Sequence, residues 1–139
     1  MRTEFIVIDT NTLISAFLLE KSVSRSVYEK AKNTFNLAVS RQTFAELQDV
    51  LLRSKFDRYL SREIRFEIIS EFSNLVTFFE PGIKIELSRD PDDDKFLELA
   101  LEAKAKYLVT GDNDLLGLNH SFKFSIIKPA DFANLANLK

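Results

Sequence analysis

The chain has no cysteine, which excludes disulfides and thiolate zinc sites and makes a reducing, cytoplasmic setting the expectation. Glycine and proline are scarce, three of each, so neither a low-complexity tract nor a flexible linker is present. No run approaches the ~20 apolar residues that span a bilayer. Met1-Arg2-Thr3-Glu4 and the short apolar stretch after it are not expected to act as a signal peptide. The single histidine, His120, excludes RNA cleavage by two histidines acting as acid and base. Beside Ser121, in a polar stretch, it reads as a surface loop residue.

What the chain does have is material for a core. An apolar fraction of 45% and 13 phenylalanines in 139 residues support one packed domain over residues 1–139. A domain of this length buries about two-thirds of the surface its unfolded chain exposes.

Short apolar runs alternate with helical patterns. Phe5 to Ile8, Phe35 to Val39, Val76 to Phe79, Tyr107 to Val109 and Phe124 to Ile127 read as strands. Helices are expected from Leu13 to about Leu19, from Ser22 or Ser24 to about Lys32, and from Ser40 or Thr43 through Leu51. Further helices are expected from Ser61 to Leu75, from about Asp92 to Ala105, and from Pro129 to about Leu138. Ile83 to Leu87 alternates and is a candidate extended piece. Strands alternating with helices indicate an α/β fold, three-layer α/β/α, with a central, mainly parallel sheet of about five strands.

The charge is distributed unevenly. Asp90-Pro91-Asp92-Asp93-Asp94-Lys95 places four carboxylates in five residues, and Asp112-Asn113-Asp114 follows the next strand. Like charges ~4 Å apart repel by about 1 kcal/mol in water and several times more near a protein surface. Gathered acids must take up protons, splay into solvent or bind a cation. With Asp9, Glu46, Asp90, Asp92, Asp93, Asp94, Asp112 and Asp114 set aside, thirteen acids face 19 Lys+Arg, and the remainder carries +6. An acidic hole in a basic surface suits a metal-dependent enzyme acting on a polyanion.

Topology makes the acids meet. In a parallel α/β sheet, strand C-termini and the starts of the following helices share one edge, where ligands bind. Asp9 ends the first strand, Glu46 lies early in the helix after the second, Asp94 begins the helix before the fourth, and Asp112 follows the fourth. Blander readings compete. Thr43-Phe44-Ala45-Glu46 matches a capping box that folds Glu46 back onto Thr43; Asp92 to Asp94 suit a helix start; Asp112-Asn113-Asp114 suits a turn. Arg53, Lys55, Arg58, Arg62 and Arg65 form a basic group for an RNA backbone, or else a solvated helix face.

The ordered set Ile6-Val7-Ile8-Asp9-Thr10-Asn11, then Glu46, then Asp94 ahead of Leu108-Val109-Thr110-Gly111-Asp112, resembles the PIN-domain nuclease family. Over about Phe5 to Asp131 it is most similar to the small prokaryotic ribonuclease toxins of toxin–antitoxin pairs. The resemblance implies that Asp9, Glu46, Asp94 and Asp112 hold one or two Mg²⁺ or Mn²⁺ ions, with Asn11 and Thr110 as polar supports. Asp93 is an alternative to Asp94, and Asp114 to Asp112. It further implies endoribonuclease activity on single-stranded RNA, a small antitoxin partner, and a homodimer or higher oligomer. Many such toxins carry arginine before the fourth acid, where this chain has Gly111. An aspartate-nucleophile phosphatase is disfavoured, because the haloacid dehalogenase-like pattern wants a second aspartate where Asn11 stands. A non-catalytic RNA- or partner-binding domain is the remaining alternative.

Overall fold

The computed structural model describes residues 3–87 and 90–135. Five strands form one sheet: β1 (Phe5–Ile8), β2 (Asn36–Ser40), β3 (Thr77–Phe79), β4 (Tyr107–Val109) and β5 (Ser125–Ile127). Their spatial order is β3-β2-β1-β4-β5 and every pairing is parallel. Ile6 lies between Leu37 and Tyr107, which fixes the register of the centre.

The helices are α1 (Thr10–Leu18), α2 (Val23–Thr34), α3 (Arg41–Leu51), α4 (Arg62–Leu75), α5 (Asp94–Ala103), α6 (Asn113–Leu116) and α7 (Pro129–Ala133). Strand side chains alternate between faces, and that alternation divides the core in two. Ile6, Ile8, Leu37, Val39 and Val109 pack with α1 to α4 and α7, around Leu47, Phe72 and Phe132. Val7, Ala38, Leu108 and Ile126 pack on the other face with α5 and α6, around Leu97 and Leu115. The expected three layers are thus present. No helix among the described residues is long and apolar enough to cross a membrane.

Several element boundaries differ from expectation, each for a local reason. α1 starts directly after β1, because Asp9 itself caps it, accepting from Thr12 N–H at 2.9 Å. α3 is capped by Ser40, not Thr43: Ser40 Oγ accepts from Thr43 N–H at 3.1 Å and Thr43 Oγ1 from Ser40 N–H at 2.9 Å. The reciprocal pair closes one turn earlier than the sequence suggested, so Glu46 is not part of it. A 3-10 turn, Pro91–Asp93, precedes α5, which ends at Lys104 in the left-handed region, φ 52°. Asp112 caps the short α6 where only a turn was expected. α7 stops at Ala133, and the last residues of the expected helix, 136–138, lie outside the described residues.

Ile83 to Leu87 forms no strand; it runs as a strap along α5. Three carboxylates on one face of that helix, at successive i+4 positions, hold its main chain. Glu102 Oε1 accepts from Gly82 N–H at 3.0 Å, Glu98 Oε2 from Ile85 N–H at 2.9 Å, and Asp94 Oδ1 from Leu87 N–H at 3.3 Å.

Arg65 corrects the expected RNA-binding group. It is 0% exposed on α4 and pairs with Asp57. It also donates to the carbonyls of Leu51 (2.8 Å), Arg53 (3.0 Å) and Leu60 (3.1 Å). The turn after α3 leaves carbonyls without helical partners, and the planar five-donor guanidinium satisfies them from beneath. Arg53, Lys55, Arg58 and Arg62 remain exposed.

Candidate functional site

Strand order reverses direction between β1 and β4, and a parallel sheet opens a crevice at the C-terminal ends of such a pair. Asp9 and Thr110 sit there, one after each strand. Asp9 N–H donates to Val109 carbonyl at 3.0 Å, and Thr110 N–H to Ile127 carbonyl at 3.0 Å, continuing the ladder one residue past the strands.

Asp9 is 7% exposed and Thr110 0%. A buried carboxylate needs donors. Asp9 has Thr110 Oγ1–H at 2.6 Å on Oδ2 and Thr12 N–H on Oδ1. Thr110 Oγ1 in turn accepts from Asp112 N–H at 3.0 Å, so one hydroxyl links the first acid to the last. Asp112 Oδ1 caps α6, accepting from Asp114 N–H at 2.8 Å.

Glu46, in the second turn of α3, accepts from Thr10 Oγ1 and forms an ion pair with Lys95 Nζ at 3.0 Å. Lys95 also donates to the carbonyl of Asp92. The Lys95 side chain is only 14% exposed, so this pair is more shielded from solvent than most surface bridges.

Asp93 and Asp94 separate at the start of α5. Asp93 lines the cleft beside Asp112, whereas Asp94 lines the neighbouring hollow beneath the strap. Successive residues of a helix point ~100° apart, and here Asp93 and Asp94 turn toward different hollows. Asp94 accepts from the strap as Glu98 and Glu102 do, whereas Asp93 lines the cleft with Asp112. Among the described residues, Asp93 Oδ2 is buried without a hydrogen-bond partner. Its carboxyl is pushed up from 3.8 to about 7, chiefly by burial, then by Asp112, as proton-sharing neighbour and as negative charge, then by Asp90; Lys95 opposes the shift. Two carboxylates side by side hydrogen-bond to each other only when one carries a proton; ionised, they repel.

The cleft encloses about 590 Å³. Asp90, Asp92 and the exposed Asn11 stand at it, together with Thr12, Ser15 and Ser24. Asp114 is exposed and does not line it, and His120 is exposed in a loop. Among the described residues, no three acidic or imidazole side chains stand together as they would around an ion. Asp9 and Glu46 are satisfied by hydroxyls, an amide and Lys95, and Asp112 by the start of α6, which leaves Asp93 Oδ2 as the buried oxygen without a donor among the described residues. Sequence reasoning assigned no role to Thr10 or Lys95. Both lie beside named acids, but nothing in the sequence indicates which distant carboxylate each would meet.

A family model described as PIN domain matches residues 5–114, a span that contains every acid of this cleft. The chain belongs to the PIN-domain family. The PIN domain is 31% identical over 125 residues to the uncharacterized protein MJ1680 of Methanocaldococcus jannaschii, covering 86% of this chain and 77% of that protein. Its fold is shared by PAE2754 from Pyrobaculum aerophilum, with TM-score 0.62, 16% identity, and 94% of this chain and 87% of that one covered. It is also shared by VapBC2 from Rickettsia felis, solved bound to a DNA fragment from their promoter. There the TM-score is 0.60 at 14% identity, over 89% of this chain and 98% of that one. At such identities these two likenesses concern the fold, and they agree with the expected PIN-like architecture.

Proposed function

We propose that this PIN domain is a Mg²⁺- or Mn²⁺-dependent endoribonuclease that hydrolyses phosphodiester bonds of single-stranded RNA in the cytoplasm. The carrying observation is the Asp93–Asp112 pair: two adjacent carboxylates, one with a buried orphan oxygen, in a polar cleft at the sheet's switch point. An all-oxygen donor set with no cysteine or histidine suits a hard divalent cation. Asp93 and Asp112 would hold it, with Asp9 and Glu46 within the same cleft. A bound ion of this kind lowers the pKa of its water and stabilises the leaving oxygen of an in-line displacement.

The protein's own residues supply the rest. Thr110 and Thr12 N–H fix the Asp9 carboxylate, while Thr10 and Lys95 fix Glu46. Asn11, Ser15 and Ser24 offer hydrogen bonds to a sugar or phosphate. Arg53, Lys55, Arg58 and Arg62 present exposed cations for the RNA backbone. The test is cleavage of single-stranded RNA by purified protein with Mn²⁺, Mg²⁺ or EDTA, with Asp112→Asn and Asp93→Asn beside the wild type. Cleavage that survives EDTA, or that both variants retain, defeats this reading. Tight RNA binding without cleavage favours the non-catalytic alternative.

The proposal extends to a role as the toxin of a toxin–antitoxin pair. Exposed Leu19 and Ile64, at the end of α1 and on α4, line a hollow together with Phe17, Leu18, Leu60 and Ile68. Apolar patches of this kind mark protein interfaces, and a small antitoxin or a second copy of the chain would cover this one. Light scattering of the protein alone, and after co-expression with the product of an adjacent small reading frame, separates the two. A monomer in both preparations removes the extension.

A further inference from the structure

Among the described residues that line the acidic cleft, Arg53 is the sole cation. Lys95, close by, is already committed to Glu46 and to the carbonyl of Asp92. A phosphate entering a cleft of six carboxylates meets strong repulsion, so a cation on the wall matters more here than on an open surface.

Arg53 is placed for that task by its main chain. Its N–H donates to Val50 carbonyl at 3.2 Å, and its carbonyl accepts from Phe56 N–H at 3.0 Å and from the buried Arg65 at 3.0 Å. The backbone at 53 is therefore held from both sides. Among the described residues, the guanidinium is held only by Asp49, at 3.1 Å, with 51% and 74% of the two side chains exposed. Such a pair is screened and exchangeable. A guanidinium fork matches two phosphate oxygens, and the switch from Asp49 to phosphate needs only side-chain rotation. Gly111, which also lines the cleft, is exposed and offers no side chain to a phosphate.

We infer that Arg53 is the residue of this cleft that binds the substrate's phosphate, with Asp49 holding its guanidinium until RNA arrives. This rests on the ribonuclease reading and assigns one of its residues.

The test compares wild type, Arg53→Ala, Arg53→Lys and Asp49→Ala on single-stranded RNA with Mn²⁺. Arg53→Ala is expected to raise KM about tenfold or more, Arg53→Lys to recover part of that, and Asp49→Ala, which frees the guanidinium, to lower KM. Binding is read from a labelled RNA oligomer on the Asp112→Asn background. There, Arg53→Ala should reduce the slope of log affinity against log salt by about 0.7, one phosphate contact on a single strand. Mn²⁺ binding, followed by electron paramagnetic resonance, should not change. If Arg53→Ala binds and cleaves like wild type with the same salt slope, Arg53 is not the phosphate contact. A wild type that neither binds nor cleaves RNA removes the ribonuclease reading itself, whatever the variants do.

Discussion

Asp93 and Asp94 are neighbours in the chain but serve different structures: Asp93 meets Asp112 in the cleft, and Asp94 accepts from Leu87 N–H at 3.3 Å beneath the strap. The divergence follows from the 3-10 turn that ends at Asp93 and the α-helix that starts at Asp94. It changes which single substitution should silence the protein. Asp93→Asn is expected to lower kcat/KM in Mn²⁺ roughly 100-fold or more, since even outer-shell partners of a metal are worth 10–100-fold. Asp94→Asn keeps an acceptor for Leu87 and should stay within about threefold of wild type. The reverse ranking would return the role to Asp94.

The Asp93–Asp112 pair also predicts a pH signature in metal-free protein. With its folded pKa at about 7 against an ordinary 3.8, Asp93 keeps its proton in the folded state over a range where the unfolded chain releases it. Its contribution to stability is therefore full below about pH 4 and is lost as pH rises through 7. In EDTA, the Tm of Asp93→Asn relative to wild type should climb between pH 5 and 7 and level off above that. Saturating Mn²⁺ should reverse the ranking at pH 8, because a bound ion stabilises only the chain that holds it. A gap that stays constant across this pH range, measured by thermal melts, would contradict the pairing.

Arg65 is expected to behave as a structural residue. Arg65→Met leaves three carbonyls without their donor and should destabilise by roughly 3 kcal/mol, about 1 kcal/mol for each lost hydrogen bond. Arg62→Ala, at an exposed position, should stay within about 0.5 kcal/mol of wild type. Urea unfolding gives both values. Equal midpoints would mean that the turn after α3 does not depend on the buried guanidinium.

The carboxylate ladder of α5 should govern the strap. Glu98→Ala removes the acceptor of Ile85 N–H and Glu102→Ala that of Gly82 N–H, each worth about 1 kcal/mol. Amide exchange at 82–85 should speed up in both variants while exchange in β1 stays slow. Protection at the strap that is indifferent to these changes would mean apolar packing of Ile85 holds it instead.

Much of this protein can be read in the order of its residues. The short apolar runs and the helical spacing between them specify five parallel strands and two faces of helices, because burial follows a period of two or 3.6 that the sequence displays directly. The same order sends Asp9, Glu46 and Asp112 to one sheet edge, since chain direction alone decides which end of a strand a residue occupies. Facing is another matter. Whether Asp93 or Asp94 enters the cleft depends on the phase with which α5 begins, and one residue shifts that phase by ~100°. Glu46 meets Thr10 and Lys95 because Ser40 captured the cap, and Arg65 is internal because the turn after α3 left carbonyls open beneath it. These outcomes are competitions among distant groups for the same donors and acceptors, and only the folded chain brings the competitors together.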